Sequence, residues 1–279
     1  MDVKESSNNW FPWKYFIITF TFSWIIWLPG ILQSRGIIST PLPDIVIFII
    51  GGFGPFISSF YLTFRKESKL GVKRLWKRGF NFKIPLKWLA FIFILPLCIA
   101  GISLYLKIQS GGEKPDFQLT NPIAIIVTFL FLFFLGGSFA EEFGWRGYAL
   151  DRLQQKWNAL VSSLLLGFIW GLWHLPLFFA EGLSQSYLPF WGFLVWTMFM
   201  SIFFTLFHNN TNGNILAALL FHTMGNLSLA LFPFIEMKHN GDPRGFFYLI
   251  IIYAVVSIIV VLIWGPGKLS RKLGEKKSQ

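Results

Sequence analysis

The chain is expected to be all-α: a polytopic membrane bundle of about eight transmembrane helices, with both termini on the cytoplasmic side. Three observations lead to that class. Of 279 residues, 54% are hydrophobic and only 13% charged, against about a quarter charged in an ordinary soluble domain. Apolar runs of the roughly 20 residues a helix needs to cross a bilayer recur along the whole chain. Inside hydrocarbon every backbone N–H and C=O must find a partner within the protein, which helices provide segment by segment.

The spans are expected, in order, at 13–33, 44–65, 86–107, 122–152, 158–180, 188–208, 213–233 and 246–265. The first follows MDVKESSNNW and is not trailed by a small-residue cleavage site, so it reads as a retained helix and not a signal peptide. The third contains Cys98, the single cysteine, which rules out an intramolecular disulfide and argues against a thiolate metal site. The fourth and fifth form a helical hairpin with its turn near LQQKWN, residues 153–158. The whole of 1–279 reads as one integral membrane domain with no separate soluble unit, and 266–279 reads as a basic, solvated cytoplasmic tail.

The net charge of +11 is explained by topology, without nucleic acid as a partner. With the N-terminus in the cytoplasm, 19 of the 24 lysines and arginines fall on the cytoplasmic side and 5 on the other, the asymmetry that orients membrane helices. The block RKESKLGVKRLWKRGFNFKIPLK is expected to be the main basic loop, lying on anionic lipid.

Ionisable groups inside spans are costly, so each one is a functional candidate. Glu141, Glu142 and Arg146 follow the apolar run PIAIIVTFLFLFFLGG; His174 lies in LLLGFIWGLWHLPL; His222 and Asn226 lie in NILAALLFHTMGNLS. Glu141 and His174 stand about equally far from the hairpin turn, roughly 20–25 Å at 1.5 Å per residue, and His222 and Asn226 lie roughly 15–20 Å in from the same side. Glu142 and Arg146, four apart, suit an ion pair on one helix face and leave Glu141 rotated away from it. Gly167, Gly171 and His174 share a face on which Gly-x-x-x-Gly lets a neighbouring backbone approach. His208 at a span end, His239 in a loop, and the packing or interfacial aromatics Trp170 and Trp173 carry no chemistry in this reading.

A carboxylate facing an imidazole can hold a water and take its proton. A second histidine and an asparagine amide can donate to the oxyanion formed when that water attacks a carbonyl. Glu141, His174 and His222 as zinc ligands with an open position for water are the alternative. No serine or cysteine is placed to act as nucleophile, so water-mediated peptide hydrolysis is the expected chemistry.

At these residues the chain resembles the CPBP family, which comprises intramembrane CAAX-type prenyl endopeptidases and bacteriocin-processing or bacteriocin-immunity proteins. EEFGWR matches the family's Glu-Glu-x-x-x-Arg; Trp170 stands for the Phe of Phe-x-x-x-His before His174; HTMGN matches His-x-x-x-Asn. The resemblance covers residues 120–230, which would be the catalytic core. It implies that Glu141 with His174 activates the water, that His222 and Asn226 stabilise the oxyanion, and that Glu142 and Arg146 support the site. It implies either a zinc-dependent or a metal-free glutamate mechanism. The partners are then membrane lipid and a membrane-associated peptide or protein, CAAX-type or bacteriocin-related. The Phe-, Ile- and Lys-rich composition reads as a bacterial plasma-membrane protein. The rival expectations are a non-catalytic immunity or scaffold protein and a proton-coupled transporter.

Overall fold

The computed structural model describes residues 11–236, 238 and 241–270, and the described residues contain helices and no strand. Residues 271–279 of the expected basic tail, and His239, lie outside them. Seven helical segments are long and apolar enough to cross a membrane, and the helix 215–231 is a shorter apolar one. Together they make the eight expected spans, and an even number of crossings returns the chain to the face on which it started.

Helix α1 (Trp13–Ser34) pairs with α2 (Asp44–Gly52) because the indole N–H of Trp27 donates to the carbonyl of Phe48 at 2.9 Å. A Cβ on Gly51 would stand 2.3 Å from that indole, so only glycine admits the contact. After Phe53, α3 (Gly54–Gly79) starts on Pro55 and runs through the basic block. The expected basic loop is therefore mostly helix. Its break is the single residue Ser68, with φ of 54°, where the apolar part gives way to a charged extension.

The Arg78 guanidinium at the end of that extension reaches back into the protein. It donates to the carbonyls of Gly213 (2.8 Å) and Gly147 (3.1 Å) and pairs with Asp151 (2.7 Å). A residue of the basic block thus clamps two elements next to the polar cluster.

Helix α4 (Leu86–Gln109) follows Pro85. The expected fourth span is not one helix. It consists of α5 (Pro122–Phe134), α6 (Ser138–Gly144), a π-helical turn (Trp145–Ala149) and α7 (Leu150–Leu153). Gly136 and Gly137 make the break, and Gly137 has φ of 102°, a conformation that side chains with a Cβ rarely adopt. Most of α5 faces outward: Ile123, Ile126, Val127, Leu130 and Phe131 are exposed, as a lipid-facing surface requires.

Helix α8 (Ala159–Trp173) is capped by Asn158, whose side chain accepts from the N–H of Val161 at 2.9 Å. It packs on α9 (Phe190–Asn210) through the expected glycine stripe. A Cβ on Gly167 would lie 2.6 Å from Cα of Met198, and one on Gly171 2.6 Å from Oγ1 of Thr197. Ser163 continues the stripe and donates to Oγ1 of Thr205 across the interface at 2.7 Å. Helix α10 (Ile215–Leu231) closes the core through Phe221, whose ring meets Phe204 and Phe207 at 4.9 and 4.8 Å. Helix α11 (Arg244–Trp264) completes the bundle.

Candidate active site

The three motif-bearing segments meet around one indole. Trp170 on α8 donates its N–H to Oε2 of Glu141 at 2.6 Å. Its ring lies 5.6 Å from that of His174 and 5.7 Å from that of His222. Glu141, His174 and His222 are 5%, 7% and 5% exposed, so the group is buried. Residues from α6, the end of α8 and α10 thus come together although their sequence distances from the turns differ by roughly 5 Å.

Each group is held by a local reason. Glu141 sits in the first turn of α6, immediately after the glycine break, and Oε2 also accepts from the indole of Trp145 at 3.3 Å. Among the described residues no hydrogen bond is given to Oε1. A Cβ on Gly137 would meet Oε1 at 2.6 Å and Nε2 of His222 at 3.8 Å, so both atoms lie beside the space the glycine leaves. His174 follows the last residue of α8, and its Nδ1 lies 2.9 Å from the carbonyl of Trp170. A carbonyl only accepts, so Nδ1 carries the hydrogen and Nε2 of a neutral ring is left as an acceptor.

The expected Glu142–Arg146 ion pair is present at 3.0 Å with both side chains fully buried. The guanidinium lies against the faces of Phe204 and Trp170, 3.7 and 4.8 Å from the ring centroids, a geometry that stabilises a desolvated cation. Oε1 of Glu142 also accepts from Nδ1 of His222 at 2.7 Å. Glu142 therefore orients His222 as well as pairing with Arg146, and the spacing of the motifs did not reveal that link.

Helix α10 is registered on the glycine break by two more bonds. Thr223 donates to Oγ of Ser138 at 3.0 Å, and Asn226 donates from Nδ2 to the carbonyl of Gly136 at 3.1 Å. One of the two Asn226 amide hydrogens is thereby committed to backbone, and the other is left over.

One expectation changes. Trp170, together with Trp145, donates to Glu141 and is not a mere packing aromatic. Trp145 is four residues after Glu141 and Trp170 four before His174, so helical spacing placed each on the relevant face. What sequence lacked was a reason to count an indole N–H as part of a polar cluster. His208 pairs with Asp151 at 2.9 Å, the carboxylate that also takes Arg78.

Among the described residues, no three His, Cys, Asp or Glu side chains stand together as a metal-binding group. Oε1 of Glu142 and Nδ1 of His222 are spent on each other, and Oε2 of Glu141 is spent on two indoles. These bonds leave Oε1 of Glu141 and Nε2 of His174 and His222 as the atoms that would hold a zinc, which would supply a Lewis acid for the water.

Comparison with known proteins agrees with this geometry. The family model described as Type II CAAX prenyl endopeptidase Rce1-like matches residues 122–228, which contain every side chain of the cluster. The chain is also 33% identical over 238 residues to a CAAX prenyl protease 2 of Methanococcus maripaludis, covering 81% of this chain and 86% of that protein.

Proposed function

The chain belongs to the Rce1-like CAAX prenyl endopeptidase family, a family of intramembrane proteases, and from that premise we propose that it cleaves a membrane-tethered, CAAX-type protein or peptide with a water activated by Glu141. Oε1 of Glu141 takes a proton from the water, while Nε2 of His174 accepts from the water's other hydrogen and orients it. The water oxygen bonds to the carbonyl carbon and the carbonyl electron pair moves onto oxygen. A protonated Nε2 of His222, its ring held by Glu142, and the remaining N–H of Asn226 donate to that oxyanion. Collapse breaks the C–N bond, and the proton on Glu141 passes to the leaving amine nitrogen. The products are a new carboxylate and a free amino terminus.

The observation that carries this reading is the convergence of Glu141, His174 and His222 on Trp170 inside an apolar shell, where a fixed dipole acts with little screening. A plasma-membrane setting, with the turn after Leu153 facing the cytoplasm, belongs to the same proposal.

The test is cleavage in nanodiscs of a prenylated CAAX-type peptide and a mixed library of membrane and bacteriocin-like peptides. Glu141→Ala and His222→Ala are each expected to lower kcat about 100-fold or more, with the unfolding temperature preserved in Glu141→Ala and lowered in His222→Ala, which takes a hydrogen bond from the buried Glu142, and the wild type is expected to keep its rate in chelator. A folded wild type that cleaves nothing in this set would support a non-catalytic immunity or scaffold role instead.

A further inference from the structure

We propose that Trp170 is a positioning residue that assigns separate duties to the two oxygens of Glu141: its indole N–H, with that of Trp145, occupies Oε2 and leaves Oε1 as the oxygen that meets the water. The proposal rests on the reading of Glu141 as the base.

A carboxylate offers two nearly equivalent oxygens and about four acceptor sites. Left unrestrained, it would present either oxygen and rotate between them. Here both donors fall on the same atom, at 2.6 Å from Trp170 and 3.3 Å from Trp145. The Trp170 bond is the shorter of the two. An indole donates and never accepts, so it holds the carboxylate without competing for the water's proton. Oε1 lies at the space beside Gly137, and Nε2 of His222 borders the same space.

Trp170 is itself fixed. It is buried, its ring lies against the Arg146 guanidinium, and Phe204 meets it edge-on at 5.8 Å. Its backbone carbonyl takes the Nδ1 hydrogen of His174. One residue therefore orients both members of the water-activating pair, Glu141 through its side chain and His174 through its main chain. A phenylalanine at this position would keep the second function and lose the first.

The test replaces Trp170 with 3-benzothienylalanine, which keeps the shape of tryptophan and has sulfur where tryptophan has N–H. With a CAAX-type peptide that the wild type cleaves in nanodiscs, kcat is expected to fall about tenfold or more, with KM within about twofold and an unchanged unfolding temperature. The same replacement at Trp145 is expected to cost less, because its bond is longer. Wild-type kcat in the Trp170 variant would overturn the proposal while leaving the protease reading intact. A second measurement does not need turnover. The indole 15N–1H resonance of Trp170, identified by its loss in Trp170→Phe, is expected to move in Glu141→Gln, and an unmoved resonance would overturn the bond itself. A folded wild type that cleaves nothing would overturn the protease reading and this role with it, whatever the resonance does.

Discussion

Two of the clusters of carboxylates and cations among the described residues are wired differently. The first, at one edge of the membrane domain, joins the end of α4 to the loop before α11. Oε1 of Glu236 accepts from Lys107 at 2.9 Å, and Oε2 accepts from the Asp242 N–H and from Lys238, both at 3.0 Å. Both oxygens of Asp242 accept from Arg244, which also donates to the carbonyl of Ser110. Every carboxylate oxygen is filled. The second cluster is the buried one, and it is left short of partners. Oε2 of Glu142 and Nε of Arg146 have none, and both bonds to Glu141 fall on Oε2. A saturated network locks a loop. A buried network that keeps acceptors open at a desolvation cost of about 1–3 kcal/mol for each unpaired group is arranged to receive something.

The largest effect should come from cutting the buried cluster. Arg146→Met strands the fully buried Glu142, and loss of one partner of such a pair costs about 3–5 kcal/mol. A large drop in unfolding temperature in detergent, partly restored by adding Glu142→Gln, is the expected result. A shift worth under about 1 kcal/mol would erase the distinction between the two clusters.

An intermediate effect should come from moving the buried cluster without touching it. Gly167→Ala puts a Cβ against the backbone of α9, 2.6 Å from Cα of Met198. Overpacking of this kind costs about 1–3 kcal/mol. It would also displace the helix that carries Trp170 and His174, so kcat should fall further than the change in unfolding temperature accounts for.

The smallest effect should come from the surface cluster. Hydrogen bonds from Lys107, then from the Asp242 N–H and Lys238, hold the Glu236 carboxyl down at about 2, against about 4.3 for an ordinary glutamate. A lowered carboxyl stabilises the fold above its unfolded value and loses that contribution as pH falls towards 2. The unfolding temperature of the wild type should therefore decline between about pH 4.3 and 2 more steeply than that of Glu236→Gln. At neutral pH the variant should lose more than the 0.2–1 kcal/mol typical of exposed pairs, because Lys107 is 1% exposed, but less than Arg146→Met, and it should cleave at the wild-type rate. A Glu236→Gln protein that loses activity at neutral pH would mean that the two clusters are coupled.

Much of this was legible in the chain alone, and for definite reasons. Span positions follow from hydrophobic length, because hydrocarbon tolerates no unpaired backbone. The α8–α9 contact follows from Gly167 and Gly171, because only residues of that size at that spacing let two backbones touch. The Glu142–Arg146 pair follows from a separation of four on one helix. These are all local or one-dimensional constraints.

The tertiary structure decided the rest. The fourth span breaks at Gly136 and Gly137 because a neighbouring helix supplies Asn226 to satisfy the freed carbonyl of Gly136, a compensation that no window of sequence contains. Glu142 reaches His222 across 80 residues, and Trp170 reaches Glu141 across 29. The chain by itself named the acids, the histidines and their depth. Only packing of three helices could say which nitrogen faces which oxygen, because hydrogen bonding is directional and the rotation of one helix about its axis against another is set by the side chains between them.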